Sequence, residues 1–86
     1  MANYVVTEIR RDGNDIIFNE DFSVPRNKIT INKRTDDFIT LHFDQQYYSD
    51  VSKRNQNFLD IYWRDITKPL GIDSNDELFQ RLVKMK

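Results

Sequence analysis

The sequence predicts an α+β fold: a mostly antiparallel β-sheet or small open barrel of about five strands with one C-terminal α-helix. Three observations predict it. Runs in which apolar and polar residues alternate, the mark of half-buried strands, recur between Tyr4 and Trp63. Polar turn residues separate them. Beyond Pro69 and Gly71 the apolar spacing shifts to that of a helix.

Taken in order, Tyr4-Val5-Val6-Thr7-Glu8-Ile9-Arg10 is rich in β-branched residues, which favour a pleated surface. Asp12-Gly13 follows, a dipeptide suited to a type I′ turn, and Asp15-Ile16-Ile17-Phe18-Asn19 returns, giving an N-terminal hairpin. Asp21 to Asn27 reads as a connector, because Pro25 lacks the N–H that a central strand needs. Ile29 and Ile31 alternate with Thr30 and Asn32. After the polar turn Arg34-Thr35-Asp36-Asp37, Ile39, Leu41 and Phe43 alternate with Phe38, Thr40 and His42, so a second hairpin is expected. Tyr47 to Val51 reads as a short edge strand and Ser52 to Gln56 as a loop. Phe58 to Trp63 is again a strand, and Asp65 to Asp73 a connector.

The helix is expected over about residues 74–85. Ser74 and Glu77 have the Ser-x-x-Glu spacing of a capping box, in which each side chain satisfies the other's free backbone N–H. Asp73, Asp76 and Glu77 lie at the positive end of the helix dipole, and Lys84 and Lys86 at the negative end. Leu78, Phe79, Leu82, Val83 and Met85 form an apolar stripe. So short a helix is barely stable alone, and its stripe must dock.

Eighty-six residues fit one domain, 1–86, with no repeat or linker to divide it. Mean hydropathy is -0.73, and 31% of residues are charged. Six Phe, four Tyr and one Trp, with a net charge of only -1, nevertheless favour folding over disorder. A domain of this size has a thin core and gains stability from association.

The absence of cysteine rules out disulfides, thiolate-bound zinc and cysteine nucleophiles. No apolar run approaches a membrane span or a secretory signal, so synthesis in the cytoplasm and no membrane partner are expected. His42, the single histidine, sits mid-strand without a serine- or acid-rich motif beside it. Asp36-Asp37 has the chemistry of a turn tip. Asp73 to Glu77 lacks the glycine and closing glutamate of a calcium loop, and two glycines in the whole chain build no phosphate cradle. No catalytic residue, metal, cofactor or small-molecule substrate is expected.

Nucleic-acid binding by a small β-barrel is the alternative. Arg10, Arg11, Lys28, Lys33, Arg34, Lys53 and Arg54 would supply charge, and Tyr47, Tyr48, Phe58 and Tyr62 stacking faces. Fourteen interleaved acids and a pI near 5.7 oppose it. A regulatory or accessory module for an enzyme is a third possibility.

Asp65-Ile66-Thr67-x-Pro69, then Ser74-x-Asp76-Glu77-Leu78 and Leu82, carries a resemblance. A strand, such a connector and a closing helix resemble the chain ending of small virion proteins of tailed bacteriophages. The resemblance covers about the last 25 residues. It implies a non-enzymatic role in capsid, head-fibre or tail assembly, location in the virion after synthesis in the bacterial host, and partners that are the chain itself and other virion proteins. Surplus aromatic residues fit such interfaces. The expected anchors are Tyr4, Tyr47, Tyr48, Tyr62 and Trp63, with Leu78, Phe79 and Leu82 from the helix.

Overall fold

The computed structural model describes residues 4–72 and 75–84, with the side chains of 83 and 84 set aside. Among the described residues seven strands form two open sheets: β1 (Glu8–Asp12), β2 (Asp15–Phe18), β3 (Phe22–Pro25), β4 (Ile29–Arg34), β5 (Phe38–Ser49), β6 (Arg54–Tyr62) and β7 (Lys68–Leu70). The first sheet has the order β3-β2-β1-β7 and the second β4-β5-β6. All pairings are antiparallel except β1 with β7, which is parallel. A single-turn 3₁₀ helix at Arg26–Lys28 carries the chain from one sheet to the other.

The fold is therefore mostly β, with two strands more than expected. Both extra strands contain proline and both lie at an edge of the first sheet. There the missing N–H faces no neighbour, so Pro25 and Pro69 are tolerated where a central strand would reject them.

The first hairpin forms as expected, but its turn differs. Asp12 pairs with Asp15, so the two loop residues are Gly13 and Asn14. Only Gly13 has positive φ (62°), which is the type II′ pattern. The type I′ turn occurs at the next corner: Asn19 (φ 56°) and Glu20 (φ 52°) are both left-handed, and the Asp21 N–H donates to Phe18 O at 2.9 Å. Asn19 then acts as a substitute strand partner. Its Oδ1 accepts from the backbone N–H groups of Thr7 (2.8 Å) and Glu8 (3.0 Å), and its Nδ2 donates to Val5 O (2.8 Å).

β5 and β6 make one long hairpin rather than an edge strand and a loop. Tyr47, Tyr48 and Ser49 pair with Gln56, Asn55 and Arg54. A bulge between His42 and Tyr47 sets the stretch Phe43–Gln46 against Asn57 alone, which interrupts the alternation and disguises the strand.

One apolar cluster fills the space between the sheets. Ile9, Ile16, Phe18 and Val24 contribute from the first sheet, and Ile39, Leu41, Phe43, Leu59 and Ile61 from the second. Trp63 follows β6 into a 3₁₀ turn and is buried. Leu78, Phe79 and Leu82 close the core from the C-terminal segment.

That segment corrects the helix expected over residues 74–85. Residues 75–79 are turn or bend, and α1 spans only Gln80–Lys84. The expected cap at Ser74 lies outside the described residues, as do Asp73 and Met85. Glu77 forms an exposed ion pair with Arg34 at 2.8 Å. It is Asp76 that holds the turn: its Oδ1 accepts from the Leu78 N–H at 2.9 Å, and its backbone O from the Phe79 N–H at 2.9 Å. Asp76 Oδ1 and Oδ2 also face Arg26 side-on at 2.9–3.1 Å, and Oδ2 accepts from Arg11 Nη1 at 2.8 Å. One carboxylate thus fixes the C-terminal segment to both β1 and the inter-sheet turn. A cost follows for helix length, because the capping side chain is engaged in the ion pairs that set where the chain must turn.

Candidate functional site

The expected anchors divide by burial. Trp63, Leu78, Phe79 and Leu82 are inside the core and offer no surface to a partner, because a thin core takes every large apolar group it can reach. Tyr4 and Tyr47 are half-buried: Tyr4 packs edge-on against Phe22 at 5.5 Å, and Tyr47 against Phe43 at 5.6 Å. Tyr48 is exposed, and Tyr62 lies partly exposed on β6. Of these tyrosines the structure brings together Tyr4 and Tyr62, which line one groove; Tyr47 and Tyr48 lie outside it.

Other residues join them there. The groove, of about 890 Å³, runs along β6, walled by Tyr4 and Val5 on one side and by Phe58, Asp60 and Tyr62 on the other, with Val51 at one end and Arg64 at the other. Val5, Val51 and Phe58 are among the large apolar residues that remain more than half exposed. Val51 was expected only as the end of an edge strand, and Phe58 only as the start of a strand and a candidate stacking face. Phe58 is on the face of β6 opposite the buried Leu59 and Ile61, Val51 is in the β5–β6 turn, and Val5 is in the segment before β1.

The groove is held in shape by Asp21, at the last corner of the type I′ turn. Its Oδ2 accepts from Tyr4 Oη (2.7 Å) and from the buried Ser49 hydroxyl, and its Oδ1 from the N–H groups of Asp50 (2.8 Å) and Val51 (3.3 Å). This ties the N-terminal wall to the β5–β6 turn. Burial works against the charge on Asp21, but the donated hydrogen bonds, from Ser49 and Tyr4 first, outweigh it and lower its pKa. For Tyr4, burial and the bond to Asp21 push the hydroxyl well above the ordinary tyrosine value. Asp76 behaves like Asp21: burial opposes its charge, and the Arg26 hydrogen bonds and the Leu78 N–H overcome it. These carboxylates are structural hubs with every oxygen occupied by a fixed donor.

On the outer face of the second sheet, Phe38 and Tyr62 lie 5.1 Å apart across β5 and β6. Lys33 covers the Phe38 end of this row and Arg64 the Tyr62 end, at 5.9 Å and 5.4 Å from the respective rings. His42 is exposed beside Thr30 and Asn57 in a shallow hollow. Asp36 and Asp37 are exposed in the β4–β5 turn, where Thr35 Oγ1 accepts the Asp37 and Phe38 N–H groups. Among the described residues, no cluster of three or more His, Cys, Asp or Glu side chains is placed to hold a metal ion, and no helix is long and apolar enough to cross a membrane.

No protein-family model, curated protein or solved structure matches the chain.

Proposed function

We propose that the chain is a non-enzymatic assembly protein that works through protein–protein contacts at the β6 groove. The observation that carries this reading is the grouping of exposed Val5, Val51 and Phe58 along an outer strand. A small domain keeps such residues in water at a cost of about 25 cal/mol per Å² of apolar surface, which a partner recovers. The chain-ending resemblance of Asp65 to Leu82 suggests the setting: a tailed-phage virion, with copies of the chain and other virion proteins as partners. Sedimentation velocity over a range from about 5 to about 200 µM tests the association itself. A sedimentation coefficient that rises with concentration supports it. A 10.4 kDa species throughout refutes it.

A second reading rests on the Lys33–Phe38–Tyr62–Arg64 row, whose two adjacent rings flanked by cations resemble a stacking platform for single-stranded nucleic acid. Asp60 and Asp65 in the adjoining groove oppose a phosphate backbone there. Titration with a single-stranded oligonucleotide at low salt decides it: no binding at tens of micromolar ends this reading.

A further inference from the structure

Resting on the assembly reading, we infer that β6 is the docking edge and that its occupant is β6 of a second copy of this chain, antiparallel about a two-fold axis through Phe58.

The two open sheets have four outer strands, and three of them are protected against pairing. β3 has four residues and ends in Pro25, and β7 has three residues centred on Pro69. β4 carries Lys33 and Arg34 and is bent by a bulge between Ile31 and Lys33. β6 is the least protected of the four. It runs for nine residues with no proline, and its formal charges are Arg54 at its first position and Asp60, which is already bonded to Thr40 Oγ1 at 2.6 Å.

Its backbone is also ready to pair. The Trp63 N–H donates to Asp37 O at 3.1 Å, one step beyond the Tyr62–Phe38 pair. Antiparallel ladders alternate, so Tyr62, Asp60 and Phe58 turn their N–H and C=O groups away from β5, to the open edge.

Charge and length then choose the register. A two-fold through Asp60 places that carboxylate opposite itself. A two-fold through Leu59 places Arg54 opposite Arg64. A two-fold through Asn57 runs Tyr62 past the end of the opposing strand. Phe58 is the midpoint of Arg54–Tyr62, so a two-fold there opposes every residue of the strand with another. Phe58 then meets its own copy, Gln56 meets Asp60, Arg54 meets the Tyr62 ring, and Arg54 lies diagonal to Asp60. The result is a continuous six-stranded sheet with isologous symmetry.

A single cysteine tests the register, because the native chain has none. Opposed residues in a hydrogen-bonded pair lie about 5.5 Å apart at Cα, within disulfide reach. Under copper–phenanthroline, two Phe58→Cys thiols give two protons and two electrons to the oxidant and form the bond. Phe58→Cys should cross-link to a dimer at least about tenfold faster than Tyr48→Cys, an exposed control on β5. Phe58→Asp should raise the dimer dissociation constant at least about tenfold, while its thermal unfolding stays that of the wild type at a concentration where both are monomers. An oligomer in which Phe58→Cys gains no advantage over Tyr48→Cys, or which survives Phe58→Asp, overturns the β6 pairing and leaves the assembly reading standing. A monomer that does not cross-link overturns both.

Discussion

Removing the nearly buried Asp76 carboxylate should be strongly destabilising. Asp76→Ala deletes the acceptor for the Leu78 N–H, a capping bond worth about 1 kcal/mol. It also leaves Arg26 and Arg11 without their carboxylate. Hydrogen bonds to a charged group contribute about 1.5–3 kcal/mol each when enclosed. These arginine side chains are 22% and 29% exposed, so water replaces part of the loss, and about 2 kcal/mol for the pair together is a fair net figure. The total is about 3 kcal/mol, a large share of the stability of a domain this small. At about 5 °C per kcal/mol, the midpoint of thermal unfolding should fall by about 15 °C. Far-UV circular dichroism against temperature measures it. A companion double-mutant cycle with Arg26→Ala should show a coupling of at least about 1 kcal/mol. A midpoint lowered by less than about 5 °C, or additive losses in the cycle, would refute the argument that this carboxylate joins the C-terminal segment to both sheets.

Three other outcomes are expected. Gly71 has φ of 66°, and a Cβ there would stand 2.7 Å from the Arg11 carbonyl oxygen, so Gly71→Ala should cost about 2 kcal/mol, read as a lower urea midpoint. An unchanged midpoint would mean that β7 is not held against β1 in this way. Glu20 occupies a left-handed position that glycine adopts freely, so Glu20→Gly should raise the urea midpoint at an unchanged m-value despite losing the exposed Arg10 pair; a lower midpoint would show the ion pair to outweigh the backbone strain. Asp21 and Asp76 have folded pKa values below the ordinary carboxylate value, so the unfolded chain binds more protons as pH falls. Their stabilisation is complete above that ordinary value, about 4, and is lost as pH falls through the lowered values. Asp76→Asn should therefore lose stability less steeply than the wild type between about pH 5 and pH 2, and parallel curves would contradict the assignment.

Much of the sheet was legible because alternation reports local exposure. Ile39, Leu41, Leu59 and Ile61 all face the core as their spacing predicts. What was hidden depends on non-local context. Pro25 and Pro69 look like strand breakers until their strands are known to lie at edges. The apolar positions Leu78, Phe79 and Leu82 were visible, but not that Asp76 would hold most of that segment as turns rather than helix. The β5–β6 bulge broke the period that would have extended both strands. The candidate site was the least legible part. Phe58 was visible as an aromatic residue, yet its meaning depends on β6 having no neighbouring strand beyond it among the described residues, a property of strand order and not of any stretch of sequence.

Hydrogen exchange at the Phe58, Asp60 and Tyr62 amides tests the central claim most directly, because these N–H groups face water in the single chain and another β6 in the assembly. Their exchange should slow markedly as concentration rises from low to high micromolar, while the already paired amides of Leu59 and Ile61 change little. Equal exchange of Phe58, Asp60 and Tyr62 at both ends of that range would contradict assembly through this edge.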